Sequence, residues 1–261
     1  MPKQNSPLLL PPGGPVKYPD DSGLKRPIDM PSNVRRSMLI VLAVACLIGG
    51  FVIFKYLDAV ITGPQKDKEM AAEYAAREVA LDLPLLEPML NQDDSSIMSD
   101  LSANGYTLYE KTPAGSSEKG GFEVIKLPSD VSLEEAGLIY LSGINNASAS
   151  DAAKILNGSW TLSADRSSGV SIRVRYADFS SGNIDAAIQA AKEAEGLSDA
   201  QATDAGVDDS GNTYQEGVVQ IGEGEDAETY SWRVSVVPLS EVYSVAGLPE
   251  NALFVGIRFT K

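Results

Sequence analysis

The sequence contains no histidine, and its single cysteine, Cys46, lies inside a long apolar run. Histidine is the base of Ser-His-Asp and Cys-His nucleophilic systems and a common zinc ligand, so these sites are excluded in their usual forms. One cysteine cannot form a disulfide within the chain or a thiolate zinc site. Small secreted eukaryotic domains usually depend on disulfides, so the composition favours a bacterial envelope protein. We therefore expect no metal and no cofactor.

Basic residues are scarce and unevenly placed. The chain has 21 Lys and Arg against 36 Asp and Glu, a formal net charge of −15. Residues 1–37 carry six bases and three acids, which leaves +3, whereas the remainder carries −18. Proteins that bind nucleic acid need a basic footprint, so this acidic remainder argues against a nucleic-acid partner.

The longest apolar run is Ser37–Phe54, 18 residues without a charge, with Arg36 before it and Lys55 after it. A membrane span needs roughly 20 apolar residues. Lys55 can extend its ammonium group to the interface, so the sequence predicts a single transmembrane helix over 37–57, inserted in the lipid bilayer. The excess of Lys and Arg before the run predicts a cytoplasmic N-terminus and a C-terminal domain outside the plasma membrane.

Two processing alternatives concern this anchor, and one further feature concerns its association. A cleaved signal peptide has only a short basic region before its apolar core, whereas 36 residues precede this run. The Ala43–Cys46 stretch loosely resembles the motif before a lipid-modified cysteine, but the apolar run continues for eight residues past Cys46. Small residues spaced four apart, Ala45 with Gly49 and Cys46 with Gly50, would let two spans approach closely and form a homodimer.

The sequence divides into four segments. Residues 1–36 contain eight prolines and no apolar periodicity, which predicts a disordered cytoplasmic tail. The transmembrane helix follows over 37–57. Residues 58–93 are predicted to form a juxtamembrane lead-in helix and linker, and 94–261 the outer domain.

Within the lead-in segment, Gly63-Pro64 predicts a break in the helix. The helix formers that follow predict a second helix over 65–82, and Pro84 and Pro88 end it.

Short alternating segments follow in the outer domain. Strands are predicted over 106–111, 122–127, 160–162, 170–176, 214–221, 230–237 and 253–259, and helices at 133–144, 150–156 and 183–195. Ser132 and Glu135 fit a capping box at the first of these helices. Residues 198–211 are small and acidic, which predicts a loop. The fold class is therefore α+β, a mostly antiparallel sheet with helices on one face.

Two motifs with catalytic or metal-binding precedents fail on context. Ser116 and Lys119 match S-x-x-K, but the partner motifs S-D-N and K-T-G are missing and the site falls in a Gly-rich loop. A cluster of oxygen ligands comprises Asp204, Asp208, Asp209, Ser210 and Asn212. Counted from Asp208, the sixth and twelfth positions are Thr213 and Val219, where a calcium loop needs Gly and Glu.

Four arginines share one face of the predicted sheet. If the apolar positions of three strands face the helices, the opposite face carries Arg173, Arg175, Arg233 and Arg258. Arginine suits bidentate contact with carboxylate or phosphate, so this face is a candidate binding surface for an anionic envelope polymer or an acidic protein. The alternative is that Glu110, Glu123 or Glu228 pairs with these arginines and merely keeps the face soluble.

Together these features predict a single-pass, membrane-anchored, extracytoplasmic protein that acts as a non-catalytic binding or accessory module of the cell envelope. Two alternatives stay open. One is a carboxylate-based envelope hydrolase, which would need two acids about 5–10 Å apart in a cleft. The other is a subunit of a membrane complex assembled through its transmembrane helix.

Overall fold

The computed structural model describes residues 32–114, 121–221 and 227–261. The chain divides into two compact units, residues 1–58 and 59–261. Most of the predicted tail lies outside the described residues. Its last part, 32–36, is helical, which contradicts the prediction of disorder there.

The described residues form six α-helices, two short 3₁₀ helices and eight strands. The α-helices are α1 (Ser32–Ala75), α2 (Asp94–Ala103), α3 (Leu133–Ser142), α4 (Ala149–Leu156), α5 (Ile184–Ala194) and α6 (Leu239–Val242). The 3₁₀ helices are Glu87–Asn91 and Ile144–Asn146. The strands are β1 (Leu108–Thr112), β2 (Phe122–Lys126), β3 (Trp160–Asp165), β4 (Ser171–Asp178), β5 (Ala202–Val207), β6 (Thr213–Ile221), β7 (Glu228–Pro238) and β8 (Leu253–Thr260).

The predicted membrane helix lies within α1. The stretch Ser37–Ala75 is long and apolar enough to cross a membrane, and none of its most apolar window is buried. Leu47, for example, is 73% exposed. Large apolar side chains without a covering layer are typical of a helix that contacts lipid. The segment is therefore a candidate membrane span by length and composition.

Helix α1 does not break at Gly63-Pro64, so that prediction is wrong. Pro64 lies inside the helix, which ends at Ala75 instead of at residue 82. Proline removes one backbone hydrogen bond, but tertiary contacts beyond it hold the helix. The Asp67 carboxylate accepts a hydrogen bond from the Ala149 backbone N–H at 2.8 Å. The Asn157 amide donates to the Tyr74 carbonyl at the end of α1 at 2.8 Å and to the Arg77 carbonyl just after it at 3.0 Å.

All eight strands form one sheet in the order β1-β2-β3-β4-β8-β7-β6-β5, and every neighbouring pair is antiparallel. The prediction of an antiparallel sheet with helices is therefore confirmed at the level of a mixed α/β fold. Residues 198–211 are not a simple loop, because they contain edge strand β5. Its Ala, Asp and Gly residues have low strand propensity, and pairing with β6 decides its conformation.

One face of the sheet forms the main core, and we call it the apolar face. Val174, Trp232 and Ile257 on this face are at most 1% exposed. Ile188 of α5 and Leu101 of α2 belong to the same buried cluster. Alternation with a period of two places these side chains on a single side of the strands, where two helices cover them.

Helices also contact part of the opposite face. Tyr140 of α3 stacks on Tyr109 of β1 with ring centroids 5.4 Å apart. Tyr109 pairs with Ile125, which belongs to a second buried cluster with residues of α3, α4 and α6. The predicted single layer of helices is therefore incomplete, because α3 and α6 cover one end of this opposite face.

Two local predictions are confirmed, the first in part. Ser132 caps α3, where its hydroxyl oxygen accepts a hydrogen bond from the Glu135 N–H at 3.1 Å, but the Glu135 carboxylate binds Lys154 and does not complete the capping box. The hairpin of β3 and β4 also forms, with Trp160 paired to Tyr176. Both features depend on residues close in sequence, so no distant partner is needed to specify them.

Candidate functional site

The four predicted arginines lie on three adjacent strands and on one face, which we call the arginine face. Arg173 on β4 is directly opposite Arg258 on β8, and Arg258 is directly opposite Arg233 on β7. Arg175 lies two residues beyond Arg173 and therefore on the same side. The Cα atoms of opposite residues in antiparallel strands lie about 4.5–5.5 Å apart, so the three arginine positions form one short row across the sheet.

Alternation along the strands puts the arginines there. On β8, Ile257 and Phe259 flank Arg258 and are buried on the apolar face, at most 1% exposed. On β7, Trp232 and Val234 flank Arg233 in the same way. The apolar neighbours fix which side each strand turns towards the core, so the arginines must occupy the other side.

Two of the arginines have acidic partners. Arg175 binds Glu123 with 3.0 Å between Nη2 and Oε1. Arg233 binds Asp208 at 2.8 Å and Glu216 at 3.1 Å. Its guanidinium also stacks 3.9 Å from the centroid of the Tyr214 ring. These contacts hold both side chains in one orientation over the sheet.

The other two arginines have no such partners. Within the described parts of the chain, neither Arg173 nor Arg258 forms an ion pair or a side-chain hydrogen bond, and both are half-buried. Burial, followed by repulsion from Arg258 and its neighbours, lowers the pKa of the Arg173 guanidinium below its usual range. Two adjacent cations without carboxylates are therefore present where an anionic ligand would relieve their repulsion.

The arginine face is concave. A depression of about 540 Å³ is lined by all four arginines, by Asp208–Ser210 and Asn212, and by Ser235, Phe254 and Gly256. Gly256 lies in its floor, where an added Cβ would be 3.1 Å from the Ser235 Oγ. Neighbouring depressions of about 370 and 390 Å³ share Arg173 and Arg258 respectively, so the concave surface continues across several strands.

A larger cleft lies on a different part of the second unit. It measures about 740 Å³ and is lined by residues 75–83, 157–158, 176–181, 190 and 194. Three acids line it, Glu78, Asp82 and Asp178, and the buried one, Asp178, accepts hydrogen bonds from the Ser180 N–H and hydroxyl and from the Ser181 N–H. Burial acts to raise the pKa of Asp178, but the hydrogen bonds from Ser181 and Ser180 outweigh it and lower the pKa. Asp178 therefore stabilises the loop at Ser180 and Ser181 as a carboxylate and is unsuited to donating a proton.

Glu195, at the end of α5, is the acid with the most raised pKa. It is 5% exposed, and one carboxylate oxygen accepts a hydrogen bond from the Leu86 N–H at 3.0 Å. The other oxygen is buried and has no hydrogen-bond partner within the described residues. Burial raises the pKa of Glu195 to about 7. The contact attaches the segment after α1 to α5, which is a structural role.

Two other candidates came from the sequence, the S-x-x-K motif and the acidic cluster around Asp208. Ser116 and Lys119 lie outside the described residues. The Asp208 carboxylate accepts hydrogen bonds from the Ser210 N–H and the Asn212 side chain in addition to its ion pair. The carboxylate of Asp204 binds the Tyr214 hydroxyl at 2.8 Å. Among the described residues, no group of three His, Cys, Asp or Glu side chains could hold a metal ion.

Of the acids named from the sequence, Glu110, Glu123 and Glu228, the described residues show one, Glu123, paired with an arginine of this face, and Asp208 and Glu216 were not named. Glu123 pairs with Arg175, as the alternative interpretation proposed. Glu228 instead binds Lys261, and it lies on the side of β7 that carries Tyr230. Glu216 could have been found from strand pairing, since it is opposite Arg233. Asp208 lies in a turn, and only the tertiary structure brings its carboxylate to the arginine.

Comparison of the chain with protein-family models, with curated proteins and with solved structures finds no match in any of the three. The functional argument therefore depends on the geometry of the chain itself.

Proposed function

We propose that this chain is a single-pass, membrane-anchored protein whose α/β unit is a non-catalytic binding module of the cell envelope. In this proposal the arginine face is the binding surface and its ligand is anionic. The observation that carries the proposal is the row Arg173, Arg258 and Arg233, directly opposite one another on three adjacent strands. Like charges in this arrangement destabilise a sheet, so a structural role alone gives little reason to keep them.

The surrounding charge supports this interpretation. Residues outside the first 37 carry a net charge of −18, and carboxylates partner Arg175 and Arg233, so the local exception is the pair Arg173 and Arg258. An exception of this kind concentrates anions at one place while the rest of the surface repels them. Binding would therefore be directed to the arginine face.

The proposal includes topology. Basic residues are in excess before the candidate span, which favours a cytoplasmic N-terminus and places the α/β unit outside the plasma membrane. Cysteine substitutions in α2 and in the tail, labelled in intact cells with a membrane-impermeant reagent, test this arrangement. Labelling of the tail instead of α2 would contradict the proposed orientation.

Photo-crosslinking in intact cells tests whether the arginine face contacts a ligand. Ser210, exposed at the rim of the depression, is replaced by a photo-reactive residue. Gln189, exposed on α5 and thus on the apolar side of the sheet, is the matched control position. We expect an adduct from Ser210 that is absent from Gln189 and is lost when the four arginines become glutamine.

Equal adduct formation at the two positions, or an adduct from Ser210 that survives the loss of all four arginines, would contradict the proposed function.

A further inference from the structure

The two arginines without acidic partners identify the chemical class of the ligand. We propose that Arg173 and Arg258 form a subsite for a phosphate ester group, with Arg175 and Arg233 fixed on either side. This inference depends on the proposed function, because it specifies what the arginine face binds. It also assigns different roles to the four arginines: Arg173 and Arg258 bind the ligand, and Arg175 and Arg233 flank it.

Two of the four guanidinium groups form ion pairs with carboxylates, and the other two do not. Glu123 holds Arg175, and Asp208 with Glu216 holds Arg233. Carboxylates therefore occupy part of the hydrogen-bonding capacity of the outer arginines. Arg173 and Arg258 keep about five N–H donors each, since the described residues offer them no side-chain acceptor. The donors that remain for a ligand are concentrated at one cross-strand pair.

The shape of the anionic group decides how many guanidinium groups it can bind at once. A planar carboxylate matches the fork of one guanidinium with two parallel hydrogen bonds. Arg173 and Arg258 extend from directly opposite positions on neighbouring strands about 4.8 Å apart, so one ligand is within reach of both side chains. A tetrahedral phosphate presents oxygens in more than one plane and can accept from both forks. Phosphate therefore satisfies the pair better than a single carboxylate does.

The size and lining of the depression indicate that the phosphate carries an organic group. The depression of about 540 Å³ is larger than one phosphate group, and part of its lining is apolar, from Val237, Val242 and Phe254. Val242 is 36% exposed. A free anion would leave that part of the depression in contact with water only. An ester whose organic portion contacts Phe254 and Val242 uses both the charged and the apolar parts.

Repulsion between the two arginines couples ligand binding to the stability of the fold. Without a ligand, Arg173 and Arg258 repel each other across a directly opposed pair. A bound phosphate cancels this repulsion, so binding is expected to stabilise the fold. Removing one arginine should have the opposite signature of an ordinary core mutation. The unliganded protein should become slightly more stable while its response to phosphate weakens.

The test measures thermal unfolding of the full chain in a neutral sugar-based detergent, titrated with glycerol phosphate at constant ionic strength set by chloride. We expect the unfolding temperature to rise with glycerol phosphate and, at equal concentration, to rise less with inorganic phosphate and least with acetate. The variants R173Q and R258Q should need at least about tenfold more ligand, because each loses charged hydrogen bonds. R258K should also weaken binding, because lysine keeps the charge but loses the fork.

The matched control is R77Q. Arg77 is exposed, pairs with Asp130 and lies away from the arginine face. It should leave the titration unchanged, so a loss of response in R77Q as well would overturn the proposal. An equal response to acetate, or an unchanged response in the R173Q/R258Q double variant, would overturn it too.

Mixed micelles containing phosphatidylglycerol distinguish a lipid headgroup from a soluble ester as the source of the phosphate. Stabilisation by either source that is lost in R173Q and R258Q supports the subsite; stabilisation by neither overturns it. Failure here together with an arginine-dependent adduct at Ser210 would remove the phosphate subsite and leave the proposed function standing.

Discussion

The two faces of the same sheet differ in burial and in charge. On the apolar face the side chains of β4, β7 and β8 are buried in one cluster with α5, with α2 and with the 3₁₀ helix Glu87–Asn91. On the arginine face the same strands present four half-buried cations, two of which have no acidic partner within the described residues. The apolar face is arranged for stability, because every side chain there loses contact with water. The arginine face keeps repulsive contacts that only an anion would relieve.

The largest expected effect comes from the apolar face. Phe259→Ala removes a side chain that is 1% exposed, and the resulting cavity should cost about 3–5 kcal/mol of unfolding free energy. The neighbouring change Arg258→Gln, one residue away on the same strand, should not lower the free energy of unfolding. Chemical denaturation of both variants measures the difference. Equal losses would mean that the two faces do not differ in the way proposed.

The next effect is a pH dependence from α5, which covers the apolar face. Burial raises the pKa of Glu195 from 4.5 to about 7 in the folded protein. Between these values the unfolded chain has released the proton and the folded chain still holds it, so stability falls as pH rises. The full stabilisation is present below pH 4.5 and is lost through pH 7, a change of roughly 3 kcal/mol.

The Glu195→Gln variant isolates this contribution. Its amide oxygen can still accept the hydrogen bond from Leu86, but it has no proton to lose. Denaturation at pH 4.5 and pH 8 should therefore show a smaller drop for the variant than for the unmodified chain. An identical drop in both would show that Glu195 does not carry the pH dependence.

A smaller effect is expected from an ion pair on the arginine face. Glu123→Gln removes the partner of Arg175 and of Lys111, and partly exposed pairs of this kind contribute about 0.5–1 kcal/mol. The change also makes the face more positive. We therefore expect a modest loss of stability together with tighter binding of glycerol phosphate, both read from thermal unfolding. Weaker binding would indicate that Glu123 orients Arg175 for the ligand.

The smallest effect has the opposite sign. Arg258→Gln removes the central charge of the row, and the loss of like-charge repulsion should stabilise the unliganded protein by about 0.5 kcal/mol. Denaturation in a chloride buffer without phosphate measures it. A clear loss of stability would assign Arg258 a structural role and would bring the two faces closer together.

Several elements could be predicted because their signals are local. The uncharged run after Arg36 predicted an apolar helix, and Ser132 with Glu135 predicted the start of α3. Edge strand β5 could not be predicted, because its Ala, Asp and Gly residues have little strand propensity and its pairing with β6 decides. The continuity of α1 through Pro64 was also missed, because contacts from Asp67 and Asn157 outweigh the local preference.

For this protein the sequence by itself determined which residues share a face, since side chains alternate along every strand and the apolar ones must be buried. That places Arg173, Arg175, Arg233 and Arg258 on the outer side of their strands. Only the tertiary structure decided that β4, β8 and β7 are neighbours and that the arginines form one row. It also decided which arginines receive carboxylates. The physical reason is that strand order and cross-strand register join residues far apart in the chain, and no local pattern encodes that pairing.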